Sequence, residues 1–258
     1  MTNIIKKCKK FLSLQLFIQH RFFEHPYESF PLVYYYKAPN NIFFRLRGVF
    51  EFLWRKKLPK HFDFYVTERI VEYPLLFRLL DIPFGSKVLV FGCSGSYEAL
   101  ELASIGYEVF GVDIRDYDIS HNRLTFIKGD LNCIDFNEKF DAVVAISVLE
   151  HIGLEVYGSE KYIDGDMMVA KKVYGLLKEN GIFILSVPFG KNMITKNYRV
   201  YDKDRILKLL EGFKIEKELY YKRTDNKYWN VSKSDELEKE NAPSICGVNG
   251  VCVIKARK

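Results

Sequence analysis

The chain has 258 residues, 48% of them hydrophobic and 28% charged, which is enough for one α/β domain of ordinary size with an appendage and excludes a disordered or collagen-like polymer. Five cysteines (Cys8, Cys93, Cys133, Cys246, Cys252) form no C-x-x-C pair and leave one over, so the composition argues against a disulfide framework or zinc knuckle and for a reducing, cytoplasmic setting. Residues 1–60 carry 12 Lys/Arg against 3 Asp/Glu, out of 39 and 33 in the whole chain, so the net charge of +6 arises in the first quarter and the remainder is slightly acidic.

Residues 1–80 are aromatic as well as basic. Pro26, Pro31 and Pro39 interrupt the first part, while Phe50, Phe52, Leu53 and Trp54, and later Ile70, Tyr73, Leu75, Leu76 and Leu79, have helical spacing, so this stretch is expected to be a mostly helical cap. No run of about 18 apolar residues occurs, which predicts no membrane span, and no clean secretory signal is legible. The basic cluster Lys6, Lys7, Lys9, Lys10 and its counterpart Arg45, Arg47, Arg55, Lys56, Lys57, Lys60 suit either a solvated face or peripheral contact with an anionic membrane; no RNA-binding module is recognisable, so nucleic acid is not expected.

From residue 86 short β-branched runs alternate with helical patterns. Strands are predicted over 87–91, 107–112, 124–128, 140–146 and 181–187, with helices ending at Ser104 and spanning 165–178. That order predicts a doubly wound, mostly parallel sheet over residues 81–258. A helix over 202–210, with Asp202 as its N-cap, then leads to strands over 214–222 and 250–257. A polar loop over 223–249 without a crossover helix makes these last two strands an antiparallel pair.

The first strand ends in the turn Gly92-Cys93-Ser94-Gly95-Ser96, where glycines let a ligand approach the backbone at a helix N-terminus. Asp113 follows Gly92 by 21 residues at the end of the second strand, where a carboxylate can accept both hydroxyls of a ribose. Asp130, at the end of the third, can accept from an exocyclic amine.

In KVLVFGCSGSYEALELASIGYEVFGVDIR, LTFIKGDL, FDAVVAISVLEHIG and GIFILSVPFG, the chain resembles the class I S-adenosylmethionine-dependent methyltransferases, over residues 86–258. The resemblance implies a Rossmann-like, seven-stranded sheet whose last strand is antiparallel, and S-adenosylmethionine as cofactor. It implies that Gly92, Cys93, Ser94 and Gly95 line the methionine part, that Asp113 with Ile114 holds the ribose, that Asp130 with Leu131 holds the adenine, and that Ile146 and Ser147 lie beneath the sulfonium. Val90 and Ser94 depart from it, standing where the family often has an acidic residue and a glycine.

Methyl transfer is an in-line displacement that needs alignment and exclusion of water. His151 stands where a base can reach a hydroxyl acceptor, and Glu150 beside it is a candidate acceptor-binding residue; the alternative is that both only order the loop. Ser147 occupies the first position of the Glu-x-x-Glu-His pattern by which some relatives bind a divalent metal, so no metal is expected. After the fifth strand, Tyr198 and Arg199 are candidates to meet the acceptor, Arg199 as a clamp for a carboxylate or phosphate, with a surface salt bridge as its alternative. The aromatic and basic residues Tyr220, Tyr221, Lys222, Arg223, Tyr228 and Trp229 suit stacking on a sugar or packing at a strand edge.

The resulting expectation is methyl transfer to a small-molecule or glycan- or lipid-linked acceptor, at oxygen. Two rivals remain: a non-catalytic methyltransferase fold used for binding, and a NAD-binding Rossmann enzyme, which would also use Asp113 but prefers G-x-G-x-x-G at the turn. The Tyr157–Lys161 segment has the Y-x-x-x-K spacing of short-chain dehydrogenases, but Gly158 and its polar surroundings argue against the helix that spacing needs.

Overall fold

The computed structural model describes residues 67–156, 162, 164–224, 228–239 and 249–258, all within the unit Phe64–Lys258. Most of the expected cap, including the basic residues 1–60, and the Y-x-x-x-K at 157–161 lie outside the described residues. Where the expected cap ends, Arg69–Leu79 forms helix α1.

The chain continues through β1 (Lys87–Phe91), α2 (Glu98–Ser104), β2 (Glu108–Asp113), β3 (Leu124–Lys128), β4 (Phe140–Ile146), α3 (Gly165–Leu176) and β5 (Leu177–Pro188). A small hairpin of β6 (Met193–Ile194) and β7 (Arg199–Val200) precedes α4 (Lys203–Leu209). The chain closes with β8 (Lys214–Thr224), β9 (Tyr228–Ser232), α5 (Ser234–Leu237) and β10 (Gly250–Arg257). Strand order in the main sheet is β3-β2-β1-β4-β5-β10-β8-β9. Strands β1 to β5 pair in parallel, and β10 inserts antiparallel between β5 and β8. This is the Rossmann-like doubly wound sheet with an antiparallel last strand that the sequence predicts. It has an eighth strand beyond the expected seven, because Tyr228, Trp229 and Val231 pair antiparallel with β8 in a region read as loop.

Alternation along the strands divides the core. Leu89 and Phe91 of β1 pack with Val143, Phe183, Val173 of α3 and Leu209 of α4, whereas Val88 and Val90 pack with Val144, Ile184, Leu102 of α2 and Leu75, Leu76 and Leu79 of α1. Each fully buried Val or Leu of this kind contributes roughly 1.5–3 kcal/mol. Val90 is therefore a core residue beneath α1. Pro74 sits inside α1 and removes one backbone donor, a cost offset by docking of the Leu75, Leu76 and Leu79 stripe on the sheet. The segments 114–123 and 129–139 carry no α-helix, only the 3-10 turn Leu131–Cys133, so β3 is covered lightly and no residue of it is fully buried.

Candidate functional site

The parallel strands β3, β2, β1 and β4 lie side by side and end in the same direction, so the chain leaves the sheet at Asp130, Asp113, Gly92 and Ser147 along one edge. Strand order reverses at β1, which places a ligand crevice between the β1 and β4 exits. Gly92 has φ +72° and donates to Val112 O at 2.8 Å; a Cβ there would run into Val148. Gly95, at φ +90°, is exposed, and the nearest group to a Cβ there is Arg115 Nη1 at 4.0 Å, so its backbone is approachable. The expectation that Cys93 lines the crevice is corrected for its side chain: the thiol is wholly buried, sits 3.7 Å from Val112 O, and burial pushes its pKa up to about 12. A thiol so shielded is inert.

Asp113 is buried and its carboxylate is fully engaged. Oδ1 accepts from Arg115 N at 2.8 Å and Nε at 3.2 Å, while Oδ2 accepts from Ser94 N at 2.8 Å and Arg115 Nη2 at 3.3 Å. Nη2 of Arg115 also donates to Ser94 O, tying the glycine-rich turn to the end of β2. Ser94 and Ile114 flank this arrangement, the first buried and the second half-buried. Half-buried Asp130 accepts from Asn132 N at 2.8 Å and caps the turn that buries Leu131.

On the β4 side the organising group is one the sequence analysis did not single out. Glu72 of α1 is wholly buried; Oε1 accepts from Ser147 Oγ at 2.6 Å and Ser186 Oγ at 2.7 Å, and Oε2 accepts from Arg69 Nη1 at 2.8 Å. Arg69 Nη1 also donates to Ile146 O at 3.1 Å, and Ser147 N donates to Ser186 Oγ at 2.9 Å. This ring holds Ser147 at φ +51°, a conformation few non-glycine residues adopt. A signal was available: Glu72, Leu75, Leu76 and Leu79 form one i, i+3, i+4, i+7 stripe, so a carboxylate was being taken into the core face.

Glu150 and His151 share the 3-10 turn Leu149–His151 after β4. The Glu150 side chain is 3% exposed, Oε2 has no hydrogen-bond partner, and burial raises the carboxyl pKa to about 8. His151 Nδ1 lies 2.7 Å from Asn197 O. A carbonyl only accepts, so Nδ1 carries the proton and Nε2, 3.8 Å from Glu150 Oε1, is the basic nitrogen. Burial lowers the pKa of His151, which favours the neutral ring.

The arginine expected to clamp an acceptor anion is wholly buried. Arg199 Nη1 donates to Ile152 O at 2.6 Å and Nε lies 3.9 Å from Asp166, whose carboxylate also receives Tyr201 OH at 2.9 Å and two nitrogens of Arg205 at 2.8–3.2 Å. Its charge is thus matched inside the fold, bracing the β7 segment against the turn after His151. Tyr198, half-buried, bonds through its backbone to Thr195 Oγ1. Among the described residues no three His, Cys, Asp or Glu converge as a metal-binding group, and no helix is long and apolar enough to cross a membrane.

Comparison with known proteins places this arrangement. The chain is 28% identical over 120 residues to a ubiquinone biosynthesis O-methyltransferase of Glaesserella parasuis, covering 40% of this chain and 45% of that protein. It is 30% identical over 118 residues to the enzyme of the same name from Bradyrhizobium diazoefficiens, covering 42% of each. The chain therefore matches less than half the length of these curated relatives. Among solved structures, the 1,6-didemethyltoxoflavin N1-methyltransferase of Burkholderia thailandensis, bound to S-adenosylhomocysteine, superposes with TM-score 0.52 at 17% identity, over 88% of this chain and 93% of that one. The N-methyltransferase NodS of Bradyrhizobium japonicum, also with S-adenosylhomocysteine, gives 0.50 at 14% identity, over 74% and 86%. The [4+2]-cyclase SpnF gives 0.52 at 16% identity, over 72% and 78%. The fold is that of the class I S-adenosylmethionine-dependent methyltransferases, and through a family model matching residues 107–243 the chain belongs to the family described as Caenorhabditis protein of unknown function, DUF268.

Proposed function

We propose that the protein is an S-adenosylmethionine-dependent methyltransferase acting on an oxygen of a small-molecule acceptor. The observation that carries the reading is the convergence of the Gly92–Gly95 turn, Asp113, Asp130 and the His151 turn along one edge of parallel strand ends. These groups fit an adenosyl cofactor: an approachable backbone at Gly95, a carboxylate at Asp113 whose 3.2 and 3.3 Å contacts with Arg115 a diol would displace, and an orphaned buried oxygen at Glu150. The cofactor supplies an electrophilic methyl group. The chain's part is to orient the acceptor, exclude water and move one proton. His151 Nε2 takes that proton from the acceptor hydroxyl, while Asn197 O holds the ring in the tautomer the step requires. Oxygen as the target is supported by the names of the two curated relatives. A glycan- or lipid-linked acceptor draws on the basic residues 1–60, which would present the chain to an anionic surface.

A second reading, a non-catalytic methyltransferase fold used for binding, is favoured by one observation: the Asp113 carboxylate already accepts four hydrogen bonds from Arg115 and Ser94. Thermal unfolding with and without S-adenosylmethionine or S-adenosylhomocysteine separates the two. Binding at 100 times the dissociation constant stabilises by about 2.7 kcal/mol, and Asp113→Ala removes that gain. With labelled methyl donor and a panel of phenols and alcohols, His151→Ala lowers turnover about 10²–10⁴-fold at unchanged cofactor affinity. Absence of a shift with either ligand refutes cofactor binding; a shift with no transfer to any acceptor favours the second reading.

A further inference from the structure

The β4 side of the crevice gathers carboxyls from three parts of the chain. Helix α1 and the residue before it bring Glu72 and Glu68, Glu98 opens α2, and Glu150 follows β4. The electrostatic neighbourhood of Arg69 includes Glu68, Glu72 and Glu98, and that of Glu150 includes Glu72, Arg69 and Glu68. Arg69 is spent on Glu72 and Ile146 O. Glu98 is answered by the hydroxyls of Ser96 and Tyr73, at 2.8 and 2.9 Å. Glu150 is answered by nothing at Oε2, although its side chain is 97% buried; the carboxyl's other contacts are its own backbone N–H and His151 Nε2, 3.8 Å from Oε1. The titratable groups near it are Glu68, the residue before α1, Arg69 and Glu72 of α1, His151 on its own turn, and Tyr201 just beyond β7.

A buried carboxyl without a partner is costly, and a set of them around one guanidinium is completed by positive charge. A cation can complete such a set by charge alone, without an N–H to donate. A sulfonium is such a group. S-adenosylmethionine and S-adenosylhomocysteine differ by one methyl group and one positive charge at sulfur.

We propose that Glu150, within the carboxyl cluster around Arg69, makes the site discriminate by charge, binding the sulfonium form of the cofactor more tightly than its neutral thioether product. This rests on reading the crevice as an S-adenosylmethionine site and assigns a determinant of its selectivity. Burial holds Glu150, Glu98 and Glu68 above the usual carboxylate range, with neighbouring acids adding to it for Glu150 and Glu68, so an arriving positive charge promotes ionisation and expels protons. The neutral thioether does not.

Titration calorimetry of the full chain near pH 7.5, with each ligand in buffers of different ionisation enthalpy, tests this. Expected are an affinity for S-adenosylmethionine about tenfold above that for S-adenosylhomocysteine, and proton release with the first ligand only. Glu150→Gln weakens S-adenosylmethionine about tenfold and leaves S-adenosylhomocysteine unchanged, which also reports that the variant is folded. Equal wild-type affinities, proton release with both ligands, or equal weakening of both by Glu150→Gln overturns the proposal while leaving the cofactor assignment standing. Binding of neither ligand overturns the assignment and the proposal together. The wild-type ratio and proton count decide the matter without any variant.

Discussion

On the β1–β2 side of the strand ends the polar groups that meet are close in sequence, Asp113 with Arg115 two residues on and with Ser94 19 residues back. On the β4–β5 side the partners are distant, Glu72 with Ser147 at a separation of 75 and with Ser186 at 114. The first side is a local motif carried by one βαβ unit. The second exists only when α1 docks across β4 and β5. A motif therefore announces the β1–β2 half of the crevice, whereas the β4–β5 half is a tertiary property.

The largest effect expected from this contrast is at Glu72. Glu72→Ala takes the acceptor from the hydroxyls of buried Ser186 and half-buried Ser147 and leaves Arg69 with only Ile146 O among these partners, so denaturant unfolding should show a loss of about 3–5 kcal/mol. Ser94→Ala on the other side removes one 3.3 Å hydroxyl bond to Arg115 O and keeps the backbone donor to Asp113, so it should cost under about 1 kcal/mol. Similar losses in the two variants would erase the distinction between the halves.

The pH dependence of stability should also divide them. Glu150 has a native pKa raised to about 8 from 4.5, so between those values the native state binds the extra proton and stability falls as pH rises. The full span is on the order of 5 kcal/mol, and Glu150→Gln should flatten a plot of melting temperature against pH from 5 to 9. Away from the crevice the sign reverses. Arg257 and Lys255 depress Glu216 to about 2, so its contribution is present above 4.5 and is lost as pH falls toward 2. That pair is partly exposed, so its share is smaller.

What the sequence made legible follows the same division. The β-branched runs at 87–91, 124–128, 140–146 and 250–257 form strands with those bounds, the first three being short apolar runs closed by Gly92, Gly129 and Ser147. Asp202 caps α4 through Arg205 N at 2.8 Å, as its place before a helical pattern predicts. Strand β9 was missed because Asn230, Ser232 and Lys233 dominate a window whose apolar members, Trp229 and Val231, are only two residues apart. Arg199 was misread for a different reason. Nothing within 30 residues of it announces Asp166, the carboxylate that makes burying a guanidinium tolerable, and Ile152 O is 47 residues away. Glu72 escaped notice because a carboxylate on an apolar stripe reads as a helix boundary until the hydroxyls that meet it are known.

The smallest expected effect bears on the local half, where Arg115 and, on the proposed reading, a ribose diol would compete for one acceptor. An ionised carboxylate offers about four acceptor positions, and at Asp113 all four are taken, three of them by Arg115. A diol donating to Asp113 must displace the two side-chain contacts at 3.2 and 3.3 Å, whereas the backbone donors of Ser94 and Arg115, both at 2.8 Å, can stay. Arg115→Ala should therefore tighten binding of S-adenosylmethionine and S-adenosylhomocysteine alike, by no more than about fivefold, because an ion pair whose arginine side chain is 41% exposed contributes no more than about 1 kcal/mol. The parallel response of both ligands separates this effect from charge selection at Glu150, which acts on one ligand only. If Arg115→Ala instead weakens both ligands, the guanidinium is part of the binding surface and the two halves of the crevice are coupled through it. In that case Asp113 and Arg115 work as a single recognition unit, and Arg115→Lys, which keeps charge but loses the planar fork, should fall between wild type and alanine.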